Sequence, residues 1–240
     1  MNALSQLDEA THRAPEDKLY QTLSALAKRL PDDPVTKNLV TSVLAAAKFG
    51  HKESVLERIQ RCKAVLRSAE TNAQSTLLHR VKKGGAIALL PTAELLAVME
   101  KTKAALHIIG HAASSVPSTV YEPLAARQAV KNADMVIVPV IAITSEKVIS
   151  PIGAELLVEL ANNRGIPAYA FATGFQFTRH LEAVPGIAKN CYVAHGRQKR
   201  CVATYESISP NKVSIISELG IFSHARFIDE LSHAYPWLWV

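Results

Sequence analysis

The sequence predicts an α/β protein in which an N-terminal helical region, residues 1–83, precedes a domain with a mainly parallel sheet, residues 84–240. Three observations predict it. Up to residue 82 the apolar residues recur every three or four positions, the period of a helix. Lys83-Gly84-Gly85 then breaks the pattern. Beyond the break, apolar runs of strand length alternate with helical patterns, as in βαβ units.

Leu19, Leu23, Leu26 and Leu30 place a first helix over 17–30, and Pro31-Asp32-Asp33-Pro34 stops it. Leu39, Val40, Val43 and Leu44 form the inward face of a second helix, which runs to Phe49 with Gly50 at its end. A long third helix, from about 51 to 82, carries Val55, Ile59, Cys62, Leu66, Ala69, Ala73 and Leu77 as one apolar stripe. Strands are then predicted over 86–90, 105–109, 135–141, 167–172 and 213–217. Helices separate or follow them over 93–103, 120–131, 152–163 and 223–233. Short apolar strands in this order imply a parallel sheet covered on both faces. Asn163-Arg164-Gly165 ahead of Ile166-Pro167 reads as a helix end leading straight into a strand. There are no internal repeats and no low-complexity linker.

The totals exclude several classes. A chain of 240 residues has enough apolar residues for a full core without staples. No run approaches the length of a membrane span, and residues 1–16 have no apolar signal-peptide core. The three cysteines, Cys62, Cys191 and Cys201, are an odd number with no Cys-x-x-Cys pair. That argues against a disulfide framework or a structural zinc site, and a reducing cytoplasm fits best. The net charge of +6 is uneven: residues 1–83 hold 14 Lys/Arg against 9 Asp/Glu, the rest 13 against 12. The excess lies mostly between Lys48 and Lys83. A basic helix can meet RNA, anionic ligands or an acidic partner. No aromatic residues interleave there as base-stacking platforms, so a solvated helix face is the preferred reading and direct nucleic-acid binding is not expected.

Phosphate and nucleotide loops are missing: there is no Gly-x-Gly-x-x-Gly after a strand and no Gly-Lys-Ser/Thr P-loop. A His-Glu-x-x-His helix and a Gly-x-Ser-x-Gly elbow are also missing, and the nine histidines are too scattered to assemble a metal site. No cofactor is implied. Ligands of open α/β sheets bind beyond the carboxyl ends of strands. Thr92, His111, Ser114, Ser115, Thr144, Thr173 and Gln176 all fall just after predicted strands. Thr92 and Ser118 read equally as helix N-caps, which is the preferred reading. His111 follows Gly110 at a strand end, with no carboxylate partner nearby in sequence. Gly153 and Gly174 read as close-packing or turn glycines. Cys191 and Cys201 read as small apolar groups, and the apolar tail after Tyr235 must be buried on this chain or on another.

Two stretches carry a resemblance. Residues 132–177 run from Asn132-Ala133-Asp134 through Ser150-Pro151-Ile152-Gly153 to Phe175-Gln176-Phe177. Residues 205–222 pass through Ser209-Pro210 to Ser217-Glu218-Leu219-Gly220. In order and spacing they resemble the signatures of the translation initiation factor 2B alpha, beta and delta subunits and their sugar-phosphate isomerase relatives. That family is similarly helical at its N-terminus, followed by a Rossmann-like domain. Its isomerase branch uses a Cys after the first strand and an Asp ending the Gly-Ala-Asp strand for proton transfer. Here those places read Leu90-Pro91-Thr92, with no Cys, and Pro139-Val140-Ile141. An isoleucine cannot serve as an acid or base at any pKa. The family's Asn-Lys is Ser150-Pro151, and its aromatic-Lys-Phe is Phe175-Gln176-Phe177, so two cations are gone. Between Ile109 and Asp134 the chain is also shorter, which predicts a sheet shortened by about one βα unit.

The resemblance, with these departures, implies a divergent, non-catalytic protein with a regulatory or scaffolding role. Its alternative is a sugar-phosphate (aldose-ketose) isomerase using other residues, such as His111. Phosphorylated sugars or nucleotides are expected to bind at most weakly, through backbone N–H groups near Thr92, Ser114 and Thr173. The family dimerises through the C-terminal part of the α/β domain, which implies a homodimer. Ile221, Phe222, Phe227, Trp237, Leu238 and Trp239 supply apolar surface there, and the competing expectation is that the tail folds back over its own sheet.

Overall fold

The computed structural model describes residues 3–31, 33–49, 51–81, 85–110, 117–179, 191–195, 198–202 and 204–239. Helices come first: α1 (Ala3–Arg13), α2 (Leu19–Ala27), α3 (Pro34–Phe49) and α4 (Lys52–Val81). Helix α3 starts where its sequence says it should. The Asp33 side chain accepts the Thr36 N–H at 2.9 Å, and Pro34 takes the first helical position, where no donor is missed. The predicted stripe of α4 is buried at every position, from Val55 to Leu77.

At 30 residues, α4 is about 45 Å long, and it serves two cores. Its first half packs against Leu4, Leu7, Leu23, Leu39 and Val43 of the helical bundle. Its last turns place Leu77 and Val81 on the sheet, against Ile87, Leu89 and Ile137. Arg80 fastens that end, donating to the Tyr169 hydroxyl at 2.7 Å with its guanidinium 5.0 Å from the ring centre. Lys63 pairs with Asp8 of α1. Two of the helix's cations therefore hold structure rather than lie on a free basic face.

Among the described residues, seven strands form the main sheet in the order β12-β11-β7-β4-β1-β2-β3. They are β1 (Ala86–Leu89), β2 (Ala105–Ile109), β3 (Ser118–Tyr121), β4 (Met135–Pro139), β7 (Ala168–Phe171), β11 (Ser214–Ser217) and β12 (Gly220–Ser223). All pair in parallel except β12. Alternation sends Ala88, Val136, Val138, Ala170 and Ile215 to one face. There they meet α6 (Ala126–Lys131), α7 (Ala154–Asn162) and α8 (His224–Ala234). The other face, with Ile87, Leu89, Ile137 and Ile216, meets α4 and α5 (Ala93–Met99). Both faces are covered, which is why the strands read as continuous apolar runs. Helix α7 ends in a Schellman motif: Gly165 sits at φ +68°, and the N–H of Ile166 reaches the Ala161 carbonyl at 3.1 Å.

The structure departs from expectation in places with local causes. Residues 120 and 121 belong to strand β3, and α6 starts only at Ala126. Thr119 and Val120 are β-branched, and Glu122 precedes Pro123, which disfavours helix there. The strand lies at the sheet edge and buries neither face fully, so it has no apolar alternation to read. Strand β3 pairs in parallel with β2. Strands β5 (Ala142–Ile143), β6 (Val148–Pro151) and β10 (Tyr205–Ile208) form a small antiparallel sheet, and β8 (Cys191–His195) pairs with β9 (Gln198–Val202); none of these was expected.

The tail folds back on its own chain. Trp239 lies 4.4 Å, centre to centre, from Phe177, and Trp237 lies 5.7 Å from Phe175. Leu238 is buried. No helix among the described residues is long and apolar enough to cross a membrane.

Candidate functional site

A cavity of about 430 Å³ opens beyond the carboxyl ends of β1, β4 and β7. In open α/β sheets ligands bind at this end of the strands. Strand ends supply Thr92, Ile141, Thr173 and Gln176 to its wall. Helix α4 passes over it with Leu66, Glu70 and Gln74, and α5 adds Glu94.

The strand-end groups are largely occupied by structure. Thr92 is the N-cap of α5: its hydroxyl accepts the Leu95 N–H at 3.2 Å. Gln176 is a crossbar. Its Oε1 accepts the Thr173 N–H at 2.7 Å, and its Nε2 donates to the Val140 carbonyl. The amide therefore ties the end of β7 to the end of β4, with both its ends in use. Thr144 lies in a turn, where its hydroxyl accepts the N–H groups of Glu146 and Lys147 and its carbonyl meets His224 Nε2 at 2.8 Å. His111, Ser114 and Ser115 lie outside the described residues. Among the candidates, then, Thr92, Thr173 and Gln176 are brought together at one cavity.

The positions of the missing chemistry are also defined. Ile141 lines the cavity and puts an apolar side chain there. Ser150 is fully buried and donates to the Pro139 carbonyl at 2.7 Å, so it braces the end of β4.

Two residues in the wall escape a sequence reading. Glu70 and Glu94 are its charged members among the described residues; no Lys, Arg or His lines it. Burial, then the neighbouring charge of Glu94, raises the Glu70 carboxyl above its ordinary value, while Arg67 opposes the shift. A helical Glu carries no sign of which element it will face, so nothing local distinguishes Glu70 from solvated neighbours. Glu218, at the end of β11, was within reach of the strand-end rule. Its oxygens accept the Gly174 N–H at 2.9 and 3.1 Å, and it is hydrogen-bonded to the Tyr235 hydroxyl. Burial raises its carboxyl, and burial together with this carboxylate pushes the Tyr235 phenol well above the phenol range.

Two carboxylates can exchange protons. An isomerisation also develops negative charge on a substrate oxygen, which cations or aimed N–H donors must stabilise. Here that charge, and any phosphate, meets Glu70 and Glu94 instead. Among the described residues no group of three or more His, Cys, Asp or Glu is placed to hold a metal ion.

A helical bundle joined by one long helix to a mostly parallel sheet, with a crevice at the strand ends under that helix, defines the structural class. It is the fold of the translation initiation factor 2B subunits and of methylthioribose-phosphate isomerase. The initiation factor eIF-2B of Pyrococcus horikoshii OT3 superposes with a TM-score of 0.78 at 17% identity, covering 94% of this chain and 90% of that one. A chain of the tetrameric eIF2B-beta2-delta2 complex from C. thermophilum gives 0.70 at 15% identity, covering 97% and 87%. The 5-methylthioribose 1-phosphate isomerase of P. horikoshii OT3 gives 0.66 at 13% identity, covering 97% and 82%. No family model and no curated protein matches the sequence.

Proposed function

We propose that the chain is a divergent, non-catalytic relative of the initiation factor 2B subunits, with a regulatory or scaffolding role exercised through other proteins. The observation that carries this reading is the wall of the strand-end crevice. It holds Ile141 where the resemblance calls for an acid, and two carboxylates with no cation among its described lining residues. Retention of the fold with loss of this chemistry fits a protein kept for its surfaces. Any sugar phosphate or nucleotide in the crevice would bind weakly, because each phosphate oxygen adds repulsion to Glu70 and Glu94. The test is an isomerase assay with ribose 1,5-bisphosphate and methylthioribose 1-phosphate. The expected result is no turnover above a heat-inactivated control. Turnover abolished by Glu70→Gln or His111→Ala would overturn the reading in favour of an isomerase using other residues.

Assembly with protein partners, including a second copy as a homodimer, belongs to the same reading. A structural neighbour is a subunit of a tetrameric complex. On this chain Leu124, Ile152 and Leu156 of the α/β part are exposed apolar side chains. The tail no longer argues for it, since Leu238 and Trp239 are packed on their own chain. Light scattering at micromolar concentration decides: a dimer mass is expected, and a monomer mass refutes the homodimer. A cytoplasmic setting agrees with the free thiol of Cys62.

A further inference from the structure

The polar groups that strand ends bring to the crevice are spent on structure. The Thr92 hydroxyl caps α5, and the Gln176 amide joins the Thr173 N–H to the Val140 carbonyl. The polar groups that helices bring to it are not spent. Glu70 and Glu94 make no hydrogen bond or ion pair among the described residues, and both stand exposed on their helices. The amide of half-buried Gln74, one turn beyond Glu70 on α4, is likewise without a partner there.

Two carboxylates alone would be an acidic surface. Here they border a concave, mainly apolar space of about 430 Å³, within the range of small-molecule sites. Leu66, Val140 and Ala172 of its wall are buried, with Ile141 and Phe171 beside them. Burial first, then the Glu94 charge, raises the Glu70 carboxyl, so the two groups repel one another across the gap between α4 and α5. Arg67 on α4 relieves this only in part, since the shift remains upward. A cation held between the carboxylates would relieve it fully. A divalent metal ion draws on more ligands than two carboxylates offer, and no third His, Cys, Asp or Glu stands with them among the described residues. An ammonium on an apolar body matches both kinds of wall, its charge meeting the carboxylates and its body displacing water from the apolar side chains.

We propose that the crevice binds a small primary amine with an apolar body, its ammonium between Glu70 and Glu94 and its body against Leu66, Ile141 and Phe171. The assignment rests on the reading of this crevice as unfit for phosphate-bearing substrates and names what it takes in their place. The two fail separately. Turnover of a sugar phosphate would end that reading, whereas an inactive chain that ignores amines would end only this one.

The probe is phenethylamine, titrated into the full chain by calorimetry. Phenethyl alcohol and phenylpropanoate carry the same ring with no charge and with a negative charge. Saturable binding of the amine is expected, with the alcohol at least about tenfold weaker and the acid without binding. The double change Glu70→Gln and Glu94→Gln keeps side-chain shape at exposed positions and is expected to weaken the amine at least about tenfold. Arg67→Gln removes the competing cation and is expected to tighten binding about two- to threefold. The melting temperature of each variant shows that it is folded. Three results would overturn the proposal: no saturation by about 5 mM, an alcohol that binds as tightly as the amine, or an affinity unchanged in the double variant. An amidated lysine tetrapeptide binding at least about tenfold more tightly than the amine would also overturn it, in favour of a lysine from a protein partner.

Discussion

Gly174 is where the α/β core, the bundle and the tail converge, and Gly174→Ala tests how tightly they do so. A Cβ there would stand 2.5 Å from Leu231 Cδ1, 2.9 Å from Glu218 Oε1 and 3.0 Å from Tyr235 Cε2. None of these can yield freely. Leu231 is fully buried on α8, and moving Glu218 Oε1 breaks its 2.9 Å bond from the Gly174 N–H. Overpacking a buried site by one methyl costs about 1–3 kcal/mol. The backbone there needs no left-handed conformation, so alanine also stabilises by about 0.4–1 kcal/mol through the unfolded chain. The steric effect wins, and a net loss of about 1–2 kcal/mol is expected. For a chain of this size that lowers the melting temperature by about 2–8 °C. Urea unfolding should show a lower midpoint with an unchanged slope. The decisive measurement is a double-mutant cycle with Leu231→Ala, which alone costs about 2–5 kcal/mol. Removing the obstructing methyl should make the double mutant at least about 1 kcal/mol more stable than the sum of the single changes. Additive losses, or a Gly174→Ala protein as stable as the parent, would refute the packing argument.

Glu218 should make stability fall with rising pH. Burial raises its folded pKa above the ordinary 4.5, so the folded protein binds more protons than the unfolded chain in that window. The resulting loss of stability is complete above the raised folded pKa and relieved as pH drops towards 4.5. Glu218→Gln should therefore flatten the slope of melting temperature against pH above 4.5, and an identical slope in both proteins would contradict the assignment. Thr92→Ala removes the cap of α5 and should cost about 1 kcal/mol, with Thr92→Ser restoring most of it; equal losses in both would mean the hydroxyl is not a cap. Ser150→Ala leaves the buried Pro139 carbonyl without its donor and should cost about 1–3 kcal/mol in the same melts, whereas a neutral change would place the hydroxyl elsewhere.

The sequence by itself determined what repeats along the chain. The α4 stripe from Val55 to Leu77 and the cores of strands β1, β2, β4, β7 and β11 were legible because a helix buries every third or fourth residue and a doubly covered strand buries each one. Thr92 was legible as a cap because capping is settled within four residues. Strand β3 was not, since its edge position gives it a hydrogen-bonded neighbour but no buried face to leave a pattern. Tertiary structure alone decided which polar groups meet. Gln176 reads as a strand-end donor until its amide is found bridging β7 and β4. Glu70 reads as one more solvated position until α4 crosses the crevice and sets it near Glu94, 24 positions along the chain. Helical and strand periods record only whether a residue is buried. The partners it meets depend on how elements distant in sequence are laid against one another, and no local pattern carries that.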